Sequence, residues 1–577
     1  MLNRRDFLKG AFVAGTAVAG GAVVAGCSPS TSDGSSQNTQ NANASQTDDT
    51  LASTGSKNSN ANSWLPERVE VKPEDVVETL ETKLLIVGAG NAGMIAAATA
   101  CDEGLDFLVV DAGTTTARGR SYIGAVNTTH TKEAGVTVDE NKLLNELTRY
   151  ASGKCDQRVI KLWIKESAEM IDWLDGIMVP AGYIPTLDTA IDAACGGTDY
   201  FVPVVHHGHR AGDGVDPSKH RNDVLEAYIA EKGHEVLYGY NLVALERDGE
   251  GPVTGAYFET PEGYVLIQAE NTLLATGGYA ANADMIRALA PDVPTRVTTG
   301  NFIPTNTGQG IICALQIGAI KDVETSTMIF DRGACVPGTA AGYVEGTDQF
   351  PSNIDFNMGS QPFLKVNING ERFANESCPY DTMLNQGSLQ PNGVYCQIMD
   401  SSMKEDIARF ATIGCSKTTI QNFDNWFEGG QVAPSMGPTL PELIEQGVMI
   451  QADTLEELAE GLQIPVDTFV ATVDRYNELY ALGEDEDFGK EAHRLSALDT
   501  PPYYGFTMSG SMLTTIDGLR IDDECRVLDE KRQPIEGLYA AGDCSGSFFA
   551  DNYPEYVVGV ACGRTLTFAR HVAKALA

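Results

Sequence analysis

Three glycines near the start of the folded sequence have the spacing of a phosphate-binding turn. Gly88, Gly90 and Gly93 form a Gly-x-Gly-x-x-Gly motif between an apolar run at residues 83–87 and an apolar stretch at residues 94–101. The run predicts a buried parallel strand, and the stretch predicts a helix. In such a turn the first glycine permits the tight bend, the second lets the backbone approach a pyrophosphate, and the third lets helix pack on strand. The free N–H groups of the helix N-terminus then bind phosphate.

An acidic residue follows this motif at the position where a dinucleotide would present its ribose. Residues 107–110 predict the next strand, which ends in Asp111, eighteen residues past Gly93. A carboxylate at this point accepts hydrogen bonds from the hydroxyl groups of an adenosine ribose. Strand, turn, helix, strand and acid in this order therefore predict dinucleotide binding.

Three later segments distinguish a flavin dinucleotide from a nicotinamide dinucleotide. Residues 273–278 predict a strand that ends in two glycines, and residues 305–310 predict a second Gly-rich turn before an apolar helix. Residues 537–543 predict a strand that ends on the carboxylate of Asp543, which suits a ribityl hydroxyl. Together these segments favour FAD as the cofactor.

The combined motifs resemble the flavoproteins of the fumarate reductase and succinate dehydrogenase family, whose relatives include urocanate reductases and 3-ketosteroid dehydrogenases. The resemblance covers about residues 82–577. It implies an α/β fold in which a Rossmann-like FAD-binding domain, at residues 71–324 and 496–577, is interrupted by an α+β capping domain at residues 325–495. The cap closes over the flavin, excludes water and positions the substrate.

The resemblance also assigns residues to the cofactor site. They come from the Gly-rich turn and its acid at the adenosine end, from the segment 121–127 along the flavin, and from two later strand ends. These residues are Gly88, Gly90, Asn91, Ala92, Gly93, Asp111, Ser121, Gly124, Ala125, Asn127, Thr276, Gly277 and Asp543.

The residue that would donate a proton departs from the pattern of the fumarate reductase branch. Reduction of an activated C=C bond needs a proton donor opposite the flavin and a group that binds the developing negative charge on a carbonyl oxygen. In that branch the donor is an arginine, eight residues after the arginine of a Gly-x-Arg-Phe-x-Asn-Glu segment. Residues 370–376 match the segment, but Tyr380 stands in the donor's place. A phenol with a pKa of about 10 donates a proton while neutral at pH 7, so Tyr380 is predicted to be catalytic; the alternative is a tyrosine that only packs under the cap.

A second arginine of that branch, which clamps a substrate carboxylate, is also replaced. Tyr553 occupies its position, ten residues past Asp543, and Leu513 and Thr514 stand where the branch has a substrate histidine. A phenol cannot reproduce the bidentate grip of arginine on a carboxylate, which argues against fumarate. The 3-ketosteroid dehydrogenase branch also carries tyrosine at the position of Tyr553, where it polarises a ketone. We therefore expect a larger, less charged substrate, aromatic or polycyclic, with a carbonyl-conjugated double bond.

The function stays open between three classes at this point. The first is a respiratory reductase of an enoate or enone, with Tyr380 and Tyr553 as its catalytic residues. The second is a dehydrogenase that runs the reverse reaction on a ketone. The third is a lipoprotein that retains FAD for binding or sensing without turnover.

A metal centre is not predicted. His206, His207 and His209 are close in sequence, and two of them would share a strand face, but no third or fourth ligand is identified. The cysteines form no CxxC or CxxCH motif, so we expect neither a zinc knuckle nor an attached c-type haem, and mostly buried free thiols.

The first residues of the chain are typical of an export signal. Arg4 and Arg5 precede an apolar run rich in Gly and Ala, which resembles a twin-arginine signal more than a membrane anchor. The run ends in a lipobox-like sequence in which Cys27 would be acylated. We predict a signal peptide at residues 1–27, a disordered linker at residues 28–70, and a periplasmic or cell-surface location with a lipid tether at Cys27.

The net charge and the export signal restrict the partners. A formal net charge of -39 argues against nucleic acid as a partner. An exported flavoprotein has no NAD(P)H pool, and we identify no haem, iron–sulfur or FMN-carrier segment in the chain. We therefore expect two partners: a small molecule with an activated double bond, and a separate quinol-linked donor protein, either a cytochrome or an FMN-carrier.

Overall fold

The structure is a computed structural model that describes residues 64–117, 120–189, 206–216, 218–412, 418–432, 436–554 and 557–577. The predicted signal peptide with Cys27, and the predicted linker up to residue 63, lie outside the described residues. None of the helices in the described part of the chain combines the length and apolar character that a membrane span requires.

The described strands alternate with helices along most of the chain. The strands are β1 (Val76–Val87), β2 (Phe107–Asp111), β3 (Ile123–Gly124), β4 (Tyr183–Asp188), β5 (His206–Ala211), β6 (Val236–Tyr238), β7 (Asn241–Arg247), β8 (Val253–Thr260), β9 (Gly263–Leu274), β10 (Val297–Gly300), β11 (Thr327–Cys335), β12 (Ile354–Asp355), β13 (Leu364–Asn367), β14 (Tyr395–Met399), β15 (Met449–Ala452), β16 (Tyr503–Thr515), β17 (Arg526–Leu528) and β18 (Pro534–Ala540).

The α-helices in the same part of the chain vary widely in length. They are α1 (Asn91–Glu103), α2 (Thr129–Glu133), α3 (Glu140–Tyr150), α4 (Gln157–Met178), α5 (Arg221–Glu231), α6 (Ala283–Leu289), α7 (Gln309–Leu315), α8 (Tyr380–Ser388), α9 (Met403–Phe410), α10 (Thr418–Glu428), α11 (Leu440–Glu445), α12 (Leu455–Leu462), α13 (Val466–Leu482) and α14 (Val560–Ala575).

The largest sheet has a parallel centre. Its order is β17-β18-β9-β1-β2-β6, with β7 and β8 attached through β9. The pairs from β18 to β6 are parallel, whereas β17 and the β7–β8–β9 pairs are antiparallel. Leu84, Leu85 and Ile86 of β1 are fully buried, as expected for a parallel strand covered on both faces. The predicted α/β fold with a Rossmann-like sheet is confirmed.

Helix α1 has small side chains on its buried face and packs closely against its neighbours. Its buried face consists largely of alanine, including Ala96, Ala97 and Ala98, and it lies against α14, α5 and β1. Small side chains let these elements approach one another, which holds the start of α1 rigidly at the end of β1. The helix ends at Gly104, whose φ of 69° is a left-handed conformation that glycine adopts without strain.

A second sheet contains most of the strands of the predicted cap. Its order is β12-β11-β16-β14-β13, and β10 and β15 also pair with β16. β10 and β16 lie outside the predicted capping residues 325–495, so this sheet joins chain segments on both sides of the predicted boundaries. The division into domains stays a prediction. A third, small sheet has the order β3-β5-β4.

A buried ionic network lies under the second sheet. Arg372 bonds the Glu376 carboxylate at 2.8 Å and the Asp485 carboxylate at 2.7 Å, and the Lys490 ammonium lies 3.3 Å from Glu376. The Arg372 side chain is 6% exposed, and the side chains of Glu376, Asp485 and Lys490 are fully buried. Burial raises the pKa of Asp485, but the hydrogen bonds and charge of Arg372 together with backbone N–H donors outweigh it and lower the pKa to about 2.

We expect Arg372→Met to reduce the free energy of unfolding by about 3–5 kcal/mol, because Glu376 and Asp485 would keep buried charge without their partner. Chemical denaturation followed by tryptophan fluorescence measures the change. The control is Arg475→Met, at an exposed arginine that pairs with Glu478, for which we expect less than about 1 kcal/mol. Equal losses in both variants would contradict a stabilising role for the buried network.

Candidate active site

A cavity of about 640 Å³ opens at the carboxyl edge of the parallel strands. This volume is typical of small-molecule and cofactor sites. The strand ends that meet there are those of β1, β2, β9 and β18, which are neighbours in the sheet. Eight predicted cofactor residues line the cavity: Gly88, Gly90, Asn91, Ala92, Asp111, Thr276, Gly277 and Asp543.

Each of the three motif glycines is needed for a different structural reason. A Cβ on Gly88 would lie 2.5 Å from the carbonyl oxygen of Ala275, and its φ of +109° also favours glycine. A Cβ on Gly93 would lie 1.7 Å from the carbonyl oxygen of Gly88, so α1 can pack on β1 only without a side chain there. Gly90 differs, because the nearest atom to its Cβ would be the Ala117 Cβ at 4.0 Å. Its missing side chain leaves room in the cavity rather than in the protein core.

The adenosine end of the cavity offers both donors and an acceptor. No side chain caps the N-terminus of α1 at Gly90, so its backbone N–H groups are left for an anion. The Asp111 carboxylate accepts hydrogen bonds from the N–H groups of Ala89 at 2.6 Å and Gly113 at 2.7 Å, which fixes it at the mouth of the turn. Phosphate donors beside a fixed carboxylate fit a dinucleotide.

The opposite end of the cavity is organised around Asp543. Its carboxylate accepts a hydrogen bond from Arg120 Nη2 at 2.6 Å and another from the hydroxyl of Thr514 at 3.0 Å. Burial lowers the pKa of Arg120, but the Asp543 carboxylate outweighs it and the net pKa is raised. Sequence reasoning missed Arg120 as a site residue; the one signal was its position directly before the predicted flavin segment.

The remaining five predicted cofactor residues do not line the cavity. Gly93 lies at the contact between α1 and β1. Gly124 donates its N–H to the carbonyl of Gly559 at 2.8 Å and accepts from Trp163 Nε1 at 3.1 Å, so its backbone packs against the start of α14. The Asn127 side chain forms hydrogen bonds with the backbone N–H and carbonyl groups of Val138. Contact of the cofactor with this segment stays a prediction. The residues concerned are Gly93, Ser121, Gly124, Ala125 and Asn127.

Tyr380 and Tyr553 lie together in the interior. Each is 5% exposed, and their rings are nearly parallel, with centroids 6.3 Å apart and an interplanar angle of 11°. Phe330 packs edge-on against Tyr380 at 5.0 Å, and Phe549 lies 5.8 Å from Tyr553. The two predicted catalytic residues, 173 positions apart in sequence, thus form one aromatic cluster.

Two contacts relate this tyrosine pair to its surroundings. Asn385 of α8 donates a hydrogen bond to the side chain of Asn552 at 3.3 Å, which ties the helix that begins at Tyr380 to the loop that carries Tyr553. Neither tyrosine lines the 640 Å³ cavity. The Tyr553 phenol is nevertheless close enough to the Arg120 guanidinium to be among the groups that raise its pKa. Arg120 therefore lines the cavity and also interacts electrostatically with Tyr553 of the tyrosine pair.

His207 and His209 of the predicted histidine cluster contact other protein side chains. The His207 ring is buried and lies 2.7 Å from the Thr128 hydroxyl, and burial lowers the pKa of His207 to about 4. His209 bonds Asp175 at 2.8 Å. Within the described ranges, no group of three His, Cys, Asp or Glu side chains could hold a metal ion. The nine described cysteines are free thiols.

Comparison with known proteins places this site among flavoproteins. The sequence profile of the FAD binding domain family matches residues 83–555. The vinyl phenol reductase of Lactiplantibacillus plantarum is 27% identical, over 85% of this chain and 96% of the relative. A cytochrome-type fumarate reductase of Shewanella frigidimarina is 23% identical over 86% and 76%. A 3-oxosteroid 1-dehydrogenase of Mycobacterium tuberculosis is 26% identical over 85% and 98%.

Solved structures share the fold. An open flavocytochrome c3 fumarate reductase superposes with a TM-score of 0.63 at 23% identity, covering 87% of this chain and 79% of that one. A 3-ketosteroid delta1-dehydrogenase from Sterolibacterium denitrificans superposes with a TM-score of 0.66 at 19% identity, covering 86% and 99%. The cofactor of the chain is FAD.

We expect Gly90→Ala to lose FAD without losing the fold. The backbone at Gly90 has φ of -80°, which alanine adopts, and no protein atom obstructs the new Cβ, so the methyl group would obstruct only the pyrophosphate. The measurements are flavin absorbance per protein after gel filtration and the far-ultraviolet circular dichroism of the apoprotein. Gly104→Ala, at a left-handed position remote from the cavity, is the control. Full FAD retention in Gly90→Ala would contradict this use of the turn.

Proposed function

Because the chain belongs to the FAD binding domain family, we propose that it reduces a carbon–carbon double bond conjugated to a carbonyl group, as in an enoate or enone. The chain is an FAD-dependent oxidoreductase of CH–CH groups. When bound, FAD supplies the hydride for the carbon β to the electron-withdrawing group. The protein has to deliver a proton to the α carbon and to bind the carbonyl oxygen on which negative charge develops.

The parallel, buried pair of Tyr380 and Tyr553 carries this proposal. A phenol with a pKa of about 10 keeps its proton at pH 7, so both residues offer an O–H group in a site shielded from water. We assign Tyr380, at the start of α8, as the proton donor to the α carbon. Tyr553, near the Arg120 end of the cavity, then donates a hydrogen bond to the substrate carbonyl. A cation near this second phenol favours the build-up of negative charge on the oxygen that it binds.

The walls around the pair favour an aromatic or polycyclic substrate. Phe330 and Phe549 extend the aromatic surface on both sides of the tyrosines. A site lined in this way gains from burying a planar apolar group, while it lacks a bidentate carboxylate clamp at either tyrosine position. The 27% identity to a vinyl phenol reductase supports the same class, because that relative is named for an aromatic compound with a double bond.

We expect Tyr380→Phe to lower kcat by about a hundredfold or more with FAD retained, because a general acid typically contributes that much. The assay follows anaerobic reoxidation of chemically reduced enzyme by cinnamate, an aromatic enone, 4-vinylphenol and fumarate. Tyr395→Phe is the matched control, since it removes a fully buried hydroxyl that has no hydrogen-bond partner among the described residues. We expect it to retain wild-type turnover.

Four outcomes of this assay would contradict the proposal. Efficient reduction of fumarate would remove the argument from the two tyrosine replacements. Reduction of 4-vinylphenol alone would remove the requirement for a carbonyl group. Unchanged turnover in Tyr380→Phe would remove the assignment of the acid, and absence of any turnover with bound FAD would favour a binding or sensing protein.

A dehydrogenase that runs the reverse reaction on a ketone is the second candidate. The observation that favours it is Tyr553, at the position where the steroid dehydrogenase branch carries its ketone-polarising tyrosine, together with 26% identity to a 3-oxosteroid 1-dehydrogenase. The direction of turnover separates the two candidates. A dehydrogenase would reduce an artificial acceptor dye at the expense of a saturated 3-ketosteroid, whereas a reductase would oxidise a donor dye at the expense of the unsaturated substrate.

We further propose that the protein is exported by the twin-arginine route, tethered through Cys27, and reduced by a separate quinol-linked cytochrome or FMN-carrier. Replacement of both Arg4 and Arg5 by lysine should leave most of the protein in the cytoplasm of the native host, because the export machinery reads the arginine pair. Cys27→Ala should still be exported but should move from the membrane to the soluble fraction. Unchanged fractionation in these variants would contradict the signal and the tether, and rapid turnover of the purified enzyme with NADH would contradict the separate donor.

A further inference from the structure

Positive charge is concentrated at one end of the FAD cavity. The chain has a formal net charge of -39, yet Arg120 lines the cavity and two further arginines lie directly behind it. Arg564 is fully buried and Arg221 is 6% exposed. Placing guanidinium groups in the interior of a strongly acidic protein is costly, so their position calls for a physical reason.

These three arginines share few acidic partners. Arg120 Nη2 lies 2.6 Å from the Asp543 carboxylate, and Arg564 Nη2 lies 3.9 Å from the same oxygen. Arg564 otherwise bonds two backbone carbonyls, those of Gly542 at 2.9 Å and Ser545 at 3.1 Å. One carboxylate therefore faces two guanidinium groups.

The third arginine and the nearest other acid do not cancel this excess. Arg221 Nη2 donates to the side chain of Asn91 at 2.8 Å and to the carbonyl of Arg120 at 3.1 Å, and both of these acceptors are neutral. The Asp322 carboxylate also raises the pKa of Arg564, but it forms an ion pair with Arg520 at 3.1 Å. The cluster thus keeps net positive charge toward the cavity.

Arg120 and Arg564 keep their protons at neutral pH. Burial lowers the pKa of Arg564, against the opposing effect of the Asp543 carboxylate, to about 10. Two-electron reduction of neutral FAD takes up two electrons and at least one proton, and the singly protonated product is an anion. A permanent cation in a site of low dielectric favours that product over the neutral oxidised form.

We propose that Arg120, supported by Arg564, supplies the fixed positive charge that makes the bound FAD easier to reduce. It takes the place of the charge that arginine would provide at the positions of Tyr380 and Tyr553, where this chain has neutral phenols. The inference deepens the function proposed above and rests on it only through the bound FAD, not through the substrate. Asp543 has the opposite effect, since its carboxylate partly neutralises the arginines.

The test is the midpoint potential of holoenzyme FAD, measured against a reference dye during slow anaerobic reduction with xanthine and xanthine oxidase. No substrate of the protein is needed, so an error in the proposed substrate does not affect the result. We expect Arg120→Gln to weaken the equilibrium for two-electron reduction at least about tenfold, a fall of about 30 mV. Arg120→Lys, which keeps the charge, should stay within about threefold of wild type. Arg475→Gln, the same charge change on the surface, is the control and should not shift the potential.

The direction of the potential shift in a second variant distinguishes an effect of charge from an effect of altered structure. Asp543→Asn should raise the potential, and the Arg120→Gln, Asp543→Asn double variant should return close to wild type. Only the flavin-loaded protein enters the measurement, so partial FAD loss does not obscure it. If Arg120→Gln retains no FAD, the rise in Asp543→Asn together with wild-type behaviour of Arg120→Lys carries the test. A potential that falls in both single variants, or that does not move in Asp543→Asn, would overturn the proposal.

Discussion

Parallel pairing of four neighbouring strands is the constraint on which the rest of the molecule depends. Val87 at the end of β1 lies beside Val110 of β2 and Leu274 of β9, and Leu274 also lies beside Ala540 of β18. Because parallel strands end at the same edge of a sheet, the turns that follow them face one cavity. The glycines at that edge then let backbone come close enough to hold a dinucleotide, and Asp543 joins the site from the far end of the chain.

The interior of the site has an electrostatic character unlike that of the protein as a whole. The net charge is -39, and few acidic residues of the described part of the chain are buried, so salt screens most of them over about 10 Å. Arg221 and Arg564 are buried and Arg120 is partly buried, so salt screens them less, and one carboxylate is shared between Arg120 and Arg564. The field at the cavity is therefore set by a few buried and partly buried groups rather than by composition. The neutral tyrosine pair beside them can remain protonated while the arginines supply charge.

Local patterns predicted the cofactor-binding elements well, and contacts between distant segments less well. The Gly-x-Gly-x-x-Gly turn, the acid at Asp111 and the strand ends at Thr276 and Asp543 are each visible in a few consecutive residues, and all of them except Gly93 of the turn line the cavity. Gly124 packs against the start of α14 through its backbone, and contact of its segment with the flavin stays a prediction. β10 and β16 lie outside the predicted capping residues 325–495 yet pair in the second sheet, because pairing partners in a sheet carry no local signal of which segment they will join.

Residue type and short-range spacing were enough to predict the α/β class and the cofactor, and the resemblance to the fumarate reductase branch added tyrosine in place of arginine at Tyr380 and Tyr553. Only the tertiary structure decided that the two phenols stack 6.3 Å apart and that Arg120 faces Asp543. Those contacts arise where α8, the loop after β18 and the chain before β3 converge. Convergence of remote segments depends on the packing of whole sheets and helices, which no local pattern encodes.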